Sequence, residues 1–586
     1  MLKEKWNLDV LYTSIESKEY KDDKLSLERT INELNVFMQK EIANLSNAEG
    51  LKEFIKRVTD IEKYRKTMTY VHLYLSTHST DEIHLKESEN LVKLNNNSTI
   101  YLTLFKKYVA HIENLDEIIE KEEFLKEYSL FIKETKEQSE YALSEAEEIL
   151  LAKLKQSGSF AYTKLRDSYI SSLLVDVNVK GETKKVNFPA LRNMAFSPNL
   201  EERKEGYTKE IEHLGKIEKT IAAALNGIKG EVITEAETRG YSSPLDYTLK
   251  SQRMDQKTLD TMLKAMTNFL PEYERYFLKK AELLGHKNGL PFYDLFAPIG
   301  SNLTYTYDEA SQYIVKSFGE FSEELGAFAD HAFKNQWIDA IPYENKREGA
   351  FCSNVNQIKE SRILSNFGGD YSGLTTLAHE LGHGFHGHCL KNEPPINCRY
   401  PMPLAETASI FCETIIKNNA LKTATKEEKL FILENSLQDS SQVIVDILSR
   451  FLFEDKVFKG RVNGSLTPNE LNNFMLEAQK ETYGKGLDSE HLHKYMWIVK
   501  GHYYSAGRNY YNFPYAFGIL FATGIYAIYE KEPEGFIEKY KKLLRDTGKM
   551  SIYEVGKSIG LDLHDINFYN NSLAVIKREI DEFVSL

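Results

Sequence analysis

Apolar residues recur every three or four positions along most of this chain, the spacing of helices buried along one face. Within residues 1 to about 190 the stretches 52–75, 82–112 and 140–156 carry that period, in a background rich in Lys, Glu, Leu and Tyr. Charge-dense pieces such as 120–128 read as solvated helix faces. After Pro198 the period predicts helices over 201–238, 256–284 and 307–334, the second broken or kinked near Pro271. Pro- and Gly-containing connectors at 240–244 and 285–298 separate them. Two regions depart from the helical period. Residues 173–186 predict a hairpin turning near Lys180-Gly181, and 349–356 and 361–367 are short β-prone runs. With no internal repeat and no low-complexity linker, two interlocked parts are expected, a helical lobe over 1–190 and a second domain over 191–586.

The stretch 374–388 is the most informative. Leu374, Leu377, Ala378, Leu381 and Phe385 make one apolar stripe, and His379 and His383 fall a turn apart on the opposite face. Asp370 or Ser372 is placed to cap this helix. His379-Glu380-Leu381-Gly382-His383 is the H-E-x-x-H pattern of zinc hydrolases: two imidazoles can reach one Zn²⁺ while Glu380 stands beside it as a base for water. The run 361–367 beside it is expected to offer a strand edge on which an extended peptide is held by backbone hydrogen bonds, with an interior strand as the alternative.

Composition narrows the partners. At 586 residues, 42% hydrophobic and 27% charged, the chain is ordinary for a globular protein. A net charge of −13, from 74 basic and 87 acidic residues, argues against nucleic acid or an anionic membrane surface. No apolar run is long enough to span a bilayer, and the N-terminus does not resemble a signal peptide. Cys352, Cys389, Cys398 and Cys412 form no C-x-x-C pair, which fits a reduced cytoplasm.

A catalytic zinc site needs a third protein ligand and an open position. Glu406 is the best candidate, with Glu413 two helical turns further on; one carboxylate can bind the metal while the other orients a ligating histidine. The flanking Leu404, Ala405, Ala408, Ile410 and Phe411 suggest a buried helix, on which carboxylates need a partner. His386 and His388 remain alternatives, His386 being better suited to a supporting or cleft position. Two other patterns carry nothing. Gly382 to Gly387 matches a dinucleotide fingerprint inside the wrong element, and Gly556 to Gly560 matches a serine-hydrolase elbow too close to the C-terminus.

The pentad with His386, followed by Glu406-x-x-Ser409-x-x-x-Glu413, resembles the M3 family of zinc oligopeptidases, oligoendopeptidase F branch. The stretch 291–298 and the Tyr-rich run near the C-terminus are similar to that branch as well. The resemblance implies a mainly α fold, two helical lobes enclosing a deep substrate channel, with a small β element beside the metal helix. It implies one Zn²⁺ per chain held by His379, His383 and Glu406, with Glu380 as general base. A histidine and tyrosines of the C-terminal run would stabilise the oxyanion: His502, Tyr515 just after the helix-opening Pro514, and Tyr511, with Tyr504 and Tyr510 competing for that last role. Arg508 could hold a substrate carboxylate or carbonyl. The expected activity is a cytoplasmic endopeptidase of short peptides; an exopeptidase with the same site and a non-catalytic peptide-binding protein are the alternatives.

Overall fold

The structure, a computed structural model, describes residues 2–586. It is mainly α. The long helices run Leu200–Arg239 and Gln256–Leu283. Asn199 opens the first by accepting the backbone N–H groups of Glu201 and Glu202, and Gly240 closes it at φ 88°, a left-handed conformation that glycine adopts without cost. Pro271 lies inside the second helix without ending it. Other predicted helices are split. The period over 52–75 resolves into Asn47–Glu62 and Lys66–Thr77, and that over 307–334 into Tyr307–Phe321 and Glu323–Lys334. In the second case Ser322 makes the break, its hydroxyl capping the helix that follows.

The chain forms two compact units. One comprises Met1–Ala142, Asn302–Lys422 and Ile528–Leu561; the other comprises Leu143–Ser301, Thr423–Ala527 and Asp562–Leu586. Each is assembled from three separate stretches. In the first, the N-terminal helices enclose an apolar core that includes Leu51, Phe54, Ile55 and Phe105.

Five strands occur among the described residues. β1 (Leu174–Val179) and β2 (Glu182–Asn187) form the predicted hairpin in the second unit. Lys180 and Gly181 turn it at φ 54° and 83°, the paired positive values of a tight hairpin loop. Val175 and Val177 are buried on the side where β1 meets helix Leu200–Arg239. In the first unit β3 (Ile338–Asp339), β4 (Phe351–Val355) and β5 (Glu360–Leu364) form a sheet in the order β3-β5-β4. The run 361–367 is therefore an interior strand and not the edge expected for it: parallel β3 covers one side and antiparallel β4 the other. The N–H groups of Ile363 and Ser365 donate toward the β3 side, to Trp337 and Asp339. By alternation Arg362 and Leu364 pair with Ser353 and Phe351 of β4, so the N–H and C=O groups of Cys352 and Asn354 point away from β5, along the sheet edge.

Helix Tyr371–Leu390 lies on β4 and β5. Asp370 is its cap, accepting the N–H of Gly373 at 2.8 Å. Leu374, Leu377, Ala378, Leu381 and Phe385 are all essentially without exposure, in the predicted register. Burial of such a side chain contributes roughly 1.5–3 kcal/mol, ample to hold the polar face where it is.

Candidate active site

The polar face of helix Tyr371–Leu390 carries His379 and His383, whose Nε2 atoms approach to 3.1 Å. Glu406 enters from the next helical segment. It stands in the junction between Met402–Ala405 and Thr407–Thr423 instead of within a helix, as the spacing with Glu413 had suggested. Ser409 holds it there, its hydroxyl donating to the Glu406 carboxylate at 2.8 Å. Glu406 Oε2 lies 3.3 Å from His379 Nε2 and 3.5 Å from His383 Nε2. Donors bound tetrahedrally at 2.0–2.1 Å stand about 3.3 Å apart. The three atoms thus outline one face of such a tetrahedron, and they are the group among the described residues able to hold a metal ion.

Glu413, in helix Thr407–Thr423, bonds to Nδ1 of His379. The carboxylate accepts, so Nδ1 carries a proton and Nε2 is the ring nitrogen that faces His383 and Glu406. Burial works against charge on His379, but Glu406 and Glu413 outweigh it and push its pKa up to about 11. On His383 burial and the neighbouring His379 dominate and lower it to about 4. Burial raises Glu380 to about 7; His379 opposes this, while Glu406 and Glu413 add to it. The Glu380 side chain is only 6% exposed, and its Oε2 has no hydrogen-bond partner in the protein. A carboxyl oxygen in that position is able to accept a proton from a group brought to it.

The two helices meet closely because residue 382 is glycine. A Cβ there would stand 2.6 Å from the carbonyl oxygen of Ala408 and the Cα of Ser409, beside the Glu406 junction. His386 is not in a cleft: it is fully buried, stacked on Tyr400 and bonded to Thr547 and the Leu544 carbonyl. His388 instead pairs with Glu324. Asn354 of β4 donates to the carbonyl of His383 at 3.2 Å and accepts from Ser361 at 2.7 Å, tying the sheet edge to the metal helix. Sequence reasoning missed Asn354; its isolated position in a strand offered no signal.

His502, Tyr511 and Tyr515 belong to the second unit. Tyr503, Tyr504 and Tyr510 are buried and engaged: Tyr503 donates to the Arg450 carbonyl, Tyr504 to the Trp497 carbonyl and Tyr510 to Asp455. Tyr511 and Tyr515 are half-buried and bring their hydroxyls to 3.2 Å. Tyr515 lies in the first turn of helix Phe513–Lys531, next to Pro514. Arg508 is exposed and lies over the Tyr511 ring. Beneath the loop runs a buried network. Lys229, 1% exposed, donates to Glu454 at 2.6 Å and to Asn509 at 2.9 Å. Glu454 accepts the backbone N–H of Tyr510, which adopts φ 51°, a left-handed conformation costly for a side chain of that size.

Residues 193–575 match the sequence profile of Peptidase family M3, and residues 110–173 that of Oligopeptidase F. The chain belongs to peptidase family M3. It is therefore a metallopeptidase, and the His379–His383–Glu406 triangle lies inside the matched region. Among relatives, Oligopeptidase PepF of Bacillus subtilis is 26% identical over 80% of this chain and 70% of its own. An oligoendopeptidase F homolog of Borreliella burgdorferi is 24% identical over 99% and 97%. The fold matches the crystal structure of a Chlamydophila abortus protein at a TM-score of 0.87, with 22% identity over 99% of this chain and 98% of that one. Oligoendopeptidase-F from Enterococcus faecium matches at 0.68, with 18% identity over 97% and 98%. Among the described residues no helix is long and apolar enough to cross a membrane.

Proposed function

We propose that this M3 peptidase is a zinc-dependent endopeptidase of short oligopeptides, with His379, His383 and Glu406 as metal ligands and Glu380 as general base. The observation that carries this reading is the donor triangle of 3.1, 3.3 and 3.5 Å with Glu380 beside it in the same helix. His₂Glu donor chemistry suits zinc. Bound there, zinc supplies Lewis acidity, acidifying water and polarising a carbonyl. Glu380 takes the proton of the attacking water and returns it to the leaving amine, a role matched by a pKa raised to about 7. Glu413 keeps the His379 lone pair turned toward the ligand position.

The outward N–H and C=O groups of Cys352 and Asn354 on β4 hold the peptide in extended form, the strand-addition mode of binding. His502, Tyr511 and Tyr515 donate to the oxyanion. The names of the relatives, oligopeptidase and oligoendopeptidase F, support short peptides cut internally. We place the activity in the cytoplasm, in keeping with four unpaired cysteines.

The test is metal content together with cleavage of an internally quenched peptide blocked at both ends, before and after chelation, on the wild type and Glu406→Ala. One zinc per chain is expected, with activity lost on chelation and restored by zinc, and neither metal nor activity in the variant. Activity that survives complete metal removal defeats the reading. Blocked peptide left intact while free peptide is trimmed would make the enzyme an exopeptidase.

A further inference from the structure

His502 is held at one ring nitrogen by Asn512, whose Nδ2 lies 2.7 Å from His502 Nε2. The other end of the Asn512 amide faces Arg450, with Nη1 3.3 Å from Oδ1. A guanidinium only donates and does not lose its proton in a protein. The amide oxygen must therefore face Arg450, which leaves the amide N–H₂ facing the imidazole. An N–H donor opposite Nε2 requires a lone pair there, so the ring proton belongs on Nδ1. Among the described residues Nδ1 has no hydrogen-bond partner within the chain, and the ring is only partly buried.

The support behind Asn512 is built with some care. Helices Lys426–Ser441 and Ile447–Arg461 are joined by a wider turn, Gln442–Asp446, with i→i+5 bonding. Such a turn inserts one residue and rotates everything after it by about 100°. It ends on Asp446, which pairs with Arg450 one turn later. Lys500 also reaches Asp446, at 3.6 Å. The charged groups that act on His502 are thus Arg450, Lys500 and Lys229, set against Asp446; burial and the three cations keep its pKa far below the ordinary imidazole value, at about 2. The ring is neutral, and only its tautomer remains to be set.

We propose that Asn512, oriented by the Asp446–Arg450 ion pair, is a positioning residue that fixes His502 as the neutral tautomer protonated on Nδ1. His502 then presents a hydrogen-bond donor at its free edge. This rests on the proposed reaction only for its consequence: a donor at Nδ1 is what a developing oxyanion needs, and the opposite tautomer would offer a lone pair instead.

The test is the ring ¹⁵N spectrum of histidine-labelled protein, with His502 assigned by its absence in His502→Gln. The expected wild-type pattern is a protonated Nδ1 and a bare Nε2, unchanged down to about pH 5. A protonated Nε2 in the wild type overturns the proposal whatever the activity. In Asn512→Asp the new carboxylate accepts from Nε2 and raises the His502 pKa. Above that pKa Nδ1 becomes the bare nitrogen, and kcat falls tenfold or more on an alkaline limb absent from the wild type, with KM little changed. Asn512→Ala, which leaves Nε2 without a donor, gives both tautomers and keeps the proposal testable should the aspartate variant not fold. An unmixed Nδ1-protonated ring in Asn512→Ala also overturns it. The predicted spectra combined with undiminished kcat in His502→Gln would sustain the tautomer and remove His502 from the proposed reaction.

Discussion

Three carboxylates, those of Glu380, Glu406 and Glu413, crowd His379 and His383, whereas cations surround His502. Acidic neighbours push His379 up to about 11, and basic neighbours help to hold His502 at about 2. The same side chain is prepared for opposite uses. Two imidazoles amid anions favour a bound cation; an imidazole amid cations stays neutral, as the proposed donor to an oxyanion must. In each cluster a neighbour engages one ring nitrogen and leaves the other open, Glu413 on His379 Nδ1 and Asn512 on His502 Nε2.

The sharpest way to break this contrast is Glu380→Gln, which removes the base and keeps the shape. We expect kcat to fall by about 10²- to 10⁴-fold with zinc content unchanged; near-normal turnover would show that another group takes the proton. Next comes Tyr515→Phe in the other cluster, expected to reduce kcat by about 10²- to 10³-fold with metal content intact. A loss confined to KM would instead make Tyr515 a substrate-binding group.

A third outcome concerns pH. Glu380 has a folded pKa of about 7, raised from 4.5 mainly by burial. Its ionisation therefore destabilises the chelated protein fully above about pH 7, and the penalty fades as pH falls through that value toward 4.5. Glu380→Gln escapes the penalty. The chelated variant should melt above the chelated wild type at pH 8, by at most ~3 kcal/mol, and the gap should close near pH 4.5. A gap independent of pH in calorimetry would rule out the buried charge as its cause. The smallest effect is that of Glu413→Gln, which loosens His379 without removing a ligand: zinc affinity by competitive chelation should weaken about 10- to 100-fold. No change would mean that Glu413 does not orient the ring.

The helices and the histidine pair were legible because helical period and i, i+4 spacing are local properties. Glu406 was legible as a type of residue but not as a place: it sits in a break between two helices, where Ser409 and not the helical period sets its direction. The order of the small sheet was not legible, since which neighbour covers 361–367 depends on β3, a two-residue strand with no pattern of its own. Nor was the support under His502. Lys229, Glu454, Asp446 and Arg450 are single charged positions spread along helical sequence, and only packing shows that the first three are buried and that Arg450 pairs with Asp446. The wider turn before Asp446 leaves no mark on composition either.

Tyr510 shows what such support demands of the chain. Its left-handed backbone sends one ring inward against Phe458 and frees the next, Tyr511, to emerge. A glycine would relax that torsion but lose the anchoring ring. The torsion costs about 1–2 kcal/mol, less than the roughly 3–5 kcal/mol lost by emptying the site of a buried aromatic ring, so the packing of residue 510 is what keeps the chain in its unfavourable turn.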